Sequence, residues 1–373
     1  MIRKALLLKI YDAASMQRWN DQIRPIRFTE LDRQAHKMIV AYVLGKLEED
    51  ECSSKLNWID IIETGLFEFL QRIVITDLKP SLFNKIKENK DIYLQLNEWV
   101  FRKIEPIISD LGSDFCSRFH SYLMDTNDSL VRNIIGAARF YVTKWEFEII
   151  QKTNTNGYLV AEVNKNINGR FNKYKELKCM KTLLKNNSLD EFLNICGQLR
   201  FQLRWSQLYR VPETSVLGHM LIVAIYSYLF SFQNNYKKEM CINNYFTGLF
   251  HDLPEVLTKD IINPVKVSVE GIDEIIKQYE HEEMQRIYGL LPDSWHSEMK
   301  LFTEDEFSVR MYRDGDLIKA SDDLASFIEV YLSLKNGIQN EQLLNASYYL
   351  KEKYNKYELL SGINFRNIYA DFE

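Results

Sequence analysis

Turn-formers are scarce in this chain. Its 373 residues include 14 Gly and 7 Pro, well under what average usage of about 7% and 5% would supply. A many-stranded β protein needs more turns than that, so long helices are expected. No two cysteines form a CxxC pair: Cys52, Cys116, Cys179, Cys196 and Cys241 lie far apart. Met1 to Ile10 carries Lys4 and Lys9 around an apolar run too short for a signal peptide. A reducing cytoplasm is therefore the expected location. Positive charge is not in surplus either, because 47 Lys and Arg face 52 Asp and Glu, for a formal charge of -5. This argues against nucleic acid as the main partner. The one basic tract, from Lys165 to Lys185, has no aromatic ladder beside it and reads as a solvated helix or linker face.

What is present is ordinary globular material: 46% hydrophobic and 27% charged residues. That is enough for a sizeable core and, at this length, for about two domains. Thr214 to Tyr236 lacks formal charge over a length that could span a bilayer, yet it holds Gly218, His219, Ser227, Ser231 and Gln233. It is read as a buried core helix, with no membrane partner. Apolar residues recur at helical spacing, as in Trp58, Ile61, Ile62, Leu66, Phe69 and Leu70, or in Leu324, Phe327, Ile328, Tyr331 and Leu332. Ser188 with Glu191, and Thr303 with Glu306, read as capping boxes that open helices. The expected fold class is all-α.

The chain also resembles itself. At a fixed offset of 183, His36-Lys-Met-Ile39-Val40-Ala41 faces His219-Met-Leu-Ile222-Val223-Ala224, and Thr64-Gly65-Leu66-Phe67 faces Thr247-Gly248-Leu249-Phe250. Leu70 meets Leu253, Asp77 meets Asp260, Ala137 meets Ala320 and Glu146 meets Glu329 at the same offset. Arg27 and Glu30 meet Arg210 and Glu213, and Arg18-Trp19 meets Arg204-Trp205 after a three-residue shift. We read two tandem copies of one helical unit, residues 1–187 and 188–373, related by internal duplication.

Chemistry gathers in the second copy. His251-Asp252 are adjacent at the end of an apolar run that Pro254 interrupts. His219 lies upstream on an apolar helix, and Asp322 lies downstream in Ile318-Lys-Ala-Ser-Asp322. Two imidazoles and two carboxylates suit a divalent ion such as Mn²⁺, Co²⁺, Mg²⁺, Zn²⁺ or Fe²⁺, and the lack of thiols argues against a structural zinc. Such an ion keeps positions for water and a phosphate oxygen, and it offsets the charge that builds at phosphorus. Glu255, four residues past His251, is placed to orient or deprotonate the water, and Asp260 to hold it in line. Arg204 offers a planar fork for phosphate, and Trp205 an apolar face. Lys266, Arg210 and His281 read as surface residues.

The ordered set His219, His251-Asp252, Asp322 resembles the HD-domain metal-dependent phosphohydrolases. Arg204-Trp205, Arg210, Glu255, Asp260 and Lys319 follow the order of the bacterial HD-domain 5'-deoxynucleotidases over roughly residues 200 to 335. The resemblance implies one divalent metal and a nucleotide substrate. It implies that Glu255 and Asp260 flank the metal-bound water, that Arg204 holds the phosphate and that Trp205 lies against the sugar. It leaves homo-oligomerisation open. Gly218 departs from the family, which has a Glu or other polar residue before the first His.

At the 183 offset His219 maps to His36, but His251 maps to Glu68, Asp252 to Phe69, Asp322 to Arg139 and Glu255 to Arg72. The first copy is therefore expected to be metal-free, with His36 a hydrogen-bonded core residue. Its expected role is to pack on the second copy, or else to bind a nucleotide as a regulator in its remnant cleft. The expected function is hydrolysis of the 5'-phosphate of (deoxy)nucleoside monophosphates. The alternatives are an HD phosphodiesterase or triphosphohydrolase, and a non-catalytic nucleotide sensor or scaffold.

Overall fold

The computed structural model describes residues 2–52, 55–76, 78–157, 159–259 and 269–373. Among them the chain is almost wholly helical, and its only named strands are the two-residue pair Gln17–Arg18 and Phe28–Thr29, antiparallel. The all-α expectation holds. Side-chain caps open the helices that matter most. Asn186 accepts from the Leu189 N–H ahead of helix Asn187–Gln198, and Ser215 from Gly218 ahead of Val216–Gln233. Asp314 accepts from Leu317 ahead of Gly315–Lys335. Each satisfies an N–H that the first helical turn leaves without a partner.

Two expected helix starts are corrected. Ser188 lies inside the helix that Asn186 already caps. Thr303 ends helix His296–Thr303 instead of opening one, because its hydroxyl donates back to the Met299 carbonyl of the preceding turn, at 2.9 Å.

The stretch read as a core helix is one. Helix Val216–Gln233 is long and apolar enough to cross a membrane, but Val216 to Ser231 are all buried inside the fold. A helix apolar on every side is what a protein centre needs. It packs against helices Lys238–Phe250, Glu30–Cys52 and Gly315–Lys335. The repeated Thr-Gly-Leu-Phe block marks close crossings. A Cβ at Gly248 would stand 2.8 Å from the backbone of Ala224, and one at Gly65 would strike the Met38 side chain. Helices can approach this closely only where a residue has no side chain.

One apolar core runs through both halves of the chain. The Tyr42 ring lies 5.0 Å from Phe246 and 5.3 Å from Phe250. The opening helix of each half reaches the other half. From Lys4–Ser15, Tyr11 donates to the Ala325 carbonyl at 2.6 Å, and Leu7 accepts from the Tyr226 hydroxyl at 3.0 Å. On Asn187–Gln198, Asp190 accepts from Tyr141 at 2.6 Å, and the Leu193 carbonyl sits 3.0 Å from His36 Nε2. Helices Glu30–Cys52 and Val216–Gln233 meet where Ser215 Oγ donates to Asp32 Oδ1 at 2.5 Å, between residues 183 apart. This crossing accounts for Gly218. A Cβ there would lie 2.9 Å from Leu31 Cδ2 and 3.0 Å from Asp32 Oδ1, so a side chain before His219 would make Leu31 and Asp32 shift.

One local arrangement occurs in both halves. Trp19 and Trp205 both adopt positive φ, 56° and 55°. Their indoles donate to Glu146 at 2.8 Å and Glu329 at 2.9 Å, and Arg18 and Arg204 point Nε at the same two carboxylates. Arg24 donates to the Arg18 carbonyl as Arg210 does to that of Arg204. Arg24, not Arg27, thus plays the part of Arg210, because the three-residue shift at the Arg-Trp pair persists up to the next helix.

Candidate metal centre

Three segments deliver the centre. His219 comes from the first turn of helix Val216–Gln233, His251 and Asp252 from the end of Lys238–Phe250, and Asp322 from the middle of Gly315–Lys335. Donor atoms of His219, His251 and Asp252 all lie within 4.8 Å of one another. His251 Nε2 is 3.2 Å from Asp252 Oδ2, and His219 Nε2 is 4.0 Å from the same oxygen. Asp322 Oδ1 joins at 2.9 Å from His219 Nε2. The structure thus brings together all four residues read as ligands.

The donor set fits a divalent cation. His251 Nδ1 sits 2.9 Å from the Gly248 carbonyl, so it carries the proton there and leaves the Nε2 lone pair for the centre. His219 Nδ1 faces Glu329 Oε1 at 3.6 Å, which turns its Nε2 toward Asp252 and Asp322. Burial opposes ionisation of Asp252, but His251 beside it outweighs burial and holds the carboxyl at about 2. Burial also opposes the charge on Asp322, and Lys319 above all keeps it well below the usual range. Burial works against a charged His251, yet Asp252 lifts the ring to about 9. Two fixed negative charges are balanced by a proton that a metal ion would replace.

That exchange sets a pH dependence. Below about 9 the metal-free ring holds a proton, and metal binding must release it, so affinity should fall by about tenfold for each unit of pH lowered from there. Titrating Mn²⁺ into metal-free protein at pH 6.5, 7.5 and 8.5 checks this. Affinity that is flat over the range would mean that His251 is not a ligand.

Around the centre, Glu329 is a hub that the sequence reading assigned no role. It accepts from Trp205 Nε1 at 2.9 Å, Arg204 Nε at 3.3 Å and Thr214 Oγ1 at 2.7 Å. The signal was available: Glu329 follows Asp322 by seven residues, two helical turns on the same face. Arg210, expected at the surface, is 3% exposed. It lies 3.8 Å from Glu329 and donates to Thr214, because a buried guanidinium needs such partners. Lys319 binds Asp322 at 2.7 Å and Asp323 at 3.0 Å, fixing the orientation of the fourth ligand. Glu306, expected in a capping box, instead senses the charges of His251, Asp252 and Asp322, and burial raises its carboxyl.

Of the residues read as substrate-binding, Arg204 is 3.5 Å from Asp252, at the edge of the centre, while the Trp205 N–H is held by Glu329. Glu255 opens the short helix Glu255–Thr258 and is half-buried. Asp260 and Lys266, like Asp77 in the repeat, lie outside the described residues. His281 is exposed.

Comparison with known proteins places this geometry. Residues 196–358 match the model of the HD domain family. Its sequence is similar to several bacterial enzymes named 5'-deoxynucleotidase. That of Cronobacter sakazakii is 29% identical over 174 residues, covering 43% of this chain and 80% of the relative. That of Pasteurella multocida is 21% identical over 162 residues, 42% of this chain and 82% of the relative. That of Shewanella oneidensis is 25% identical over 129 residues, 34% of this chain and 65% of the relative. The chain thus spans just under two thirds of the length of that last relative.

Proposed function

We propose that this protein is a metal-dependent phosphohydrolase that removes the 5'-phosphate from deoxynucleoside monophosphates. The observation that carries the reading is the convergence of His219, His251, Asp252 and Asp322 from three segments, with both carboxylates held ionised. The names of the bacterial relatives support the substrate class.

Those four side chains would hold one divalent ion, which supplies Lewis acidity toward water and a phosphate oxygen. Arg204, already beside Asp252, presents its guanidinium to the remaining phosphate oxygens. Glu329 keeps that guanidinium and the Trp205 ring in place, so Trp205 offers its face to the sugar and not its N–H. Glu255 takes the proton of the attacking water, with Asp260 as its partner in orienting that water. Metal identity and base preference are to be read from the assay: metal-stripped protein, single metals added back, and phosphate release followed from mono-, tri- and cyclic nucleotides. No turnover with any metal would remove the enzymatic reading.

Glu255→Gln should keep metal affinity and lose about 10² to 10⁴ in kcat, the usual worth of a general base. A rate equal to that of the parent would take Glu255 out of the mechanism.

We also propose that residues 1–187 and 188–373 are two copies of one helical unit, the first without a metal centre. The shared Arg-Trp-Glu arrangement supports this. His36 is fully buried, with Nδ1 3.1 Å from Arg200 and Nε2 3.0 Å from the Leu193 carbonyl. It serves as a core histidine, and among the described residues no carboxylate pair faces it as Asp252 and Asp322 face His219.

A further inference from the structure

The first half gathers charge of the opposite sign where the second half gathers ligands. Glu68, aligned with His251, is held by Lys37 at 3.2 Å and Arg139 at 3.0 Å. Glu30 is held by Arg33, by Arg18 at 3.1 Å and by Arg72 at 3.7 Å. Glu146 is shared between Arg18 and Arg200, each at 2.9 Å, and Asp32 also faces Arg200. Among the described residues, the six cations of this connected cluster are met by four carboxylates, leaving two positive charges over. At its edge Lys87 and Arg170 also face Arg139, with Glu88 near Arg170.

An uncompensated charge out of water is costly, by several kcal/mol per ion, so the surplus calls for an anion. The place for one exists. A cavity of about 280 Å³ is lined by Arg18, Arg72, Glu30, Asn20, Gln17 and Thr76, close to the lower size of small-molecule sites, about 300 Å³. Of the cluster's cations, Arg18 and Arg72 line this cavity and keep 14% and 22% of their side chains exposed, whereas Lys37 is fully enclosed, so these two arginines are the groups a ligand can reach. Arg33 Nε is buried without a hydrogen-bond partner among the described residues. Planar guanidinium forks suit phosphate oxygens better than any other common anion.

We propose that this cleft binds a small phosphomonoester, of the size of a nucleoside monophosphate, directly through arginines and without a metal. The second half needs a cation to hold a phosphate between two carboxylates; the first carries its cations covalently. The site is separate from the metal centre, and it deepens the regulatory reading of the first half.

Calorimetric titration of the full chain in excess chelator tests it, because the metal centre is then silent and failure of the catalytic reading leaves this result unaffected. The probes are inorganic phosphate, ribose 5-phosphate, deoxyadenosine 5'-monophosphate and deoxyadenosine. The three phosphates should bind and the nucleoside should not; a stronger response to the nucleotide than to ribose 5-phosphate would show that the base is also read. Arg72→Gln should weaken binding roughly 10- to 100-fold, the worth of a charge-assisted hydrogen bond. Glu30→Gln removes the carboxylate that competes for Arg18 and Arg72 and should tighten it. Absence of phosphate binding, equal binding of deoxyadenosine, or binding that neither variant moves would overturn the proposal. If Arg72→Gln does not fold, as judged by circular dichroism, the direction of the Glu30→Gln effect decides.

Discussion

Asp252→Ala should lose both the metal and the activity, with phosphate release down by on the order of 10³-fold or more, while the fold survives. Asp252 is the common neighbour of the centre: 3.2 Å from His251, 4.0 Å from His219 and 3.5 Å from Arg204. Removing it halves the fixed negative charge and leaves Arg204 facing the metal position without its carboxylate. The fold tolerates the change because Asp252 is also what keeps His251 charged. Once it is gone, the ring can be neutral and still donate to Gly248. Asp252→Asn, which keeps the shape and drops the charge, should lose most of the metal too. The measurement is metal content after dialysis, set beside phosphate release and thermal unfolding. A variant that holds Mn²⁺ and turns over at the parental rate would separate this cluster from the function.

Residues 188–373 expressed alone should be insoluble or inactive, although the whole match to the HD domain family lies within them. Cutting the chain there strips Leu7 and Tyr11 from Tyr226 and the Ala325 carbonyl, and Tyr42 from Phe246 and Phe250. It also leaves Leu189, Phe192 and Leu193 of helix Asn187–Gln198 without the partners that bury them. Each such side chain returned to water costs about 1.5–3 kcal/mol, and a handful exceeds a net stability of about 5–15 kcal/mol. Coexpression with residues 1–187 should recover soluble, active protein. A soluble fragment with full activity would show that the first half is not needed for packing.

The fold class was legible because helical spacing of apolar residues and scarcity of turn-formers both act locally. The four residues that converge were legible because His219, His251-Asp252 and Asp322 sit in apolar segments where charge is costly and so stands out. Cap positions were less so. Asn186 and Ser188 are equally good caps by type, and only the path of the chain makes the first one act. Arg210 and Glu329 were missed as a pair because a surface arginine and a buried one look alike until their partners, 119 residues apart, are brought together.

The sequence by itself determined that this is a helical protein whose second half carries a His/Asp donor set. That information is carried by residue type and spacing along single helices. Tertiary structure alone decided how the halves are joined: each opening helix crosses to the other half, and Gly218 is small because Asp32 and Leu31 pass against it. It also decided that Arg18, Arg33, Lys37, Arg72, Arg139 and Arg200 of the described residues gather around a few shared carboxylates. Charge balance is a property of distances, and residues from Arg18 to Arg200 become neighbours only when the chain closes.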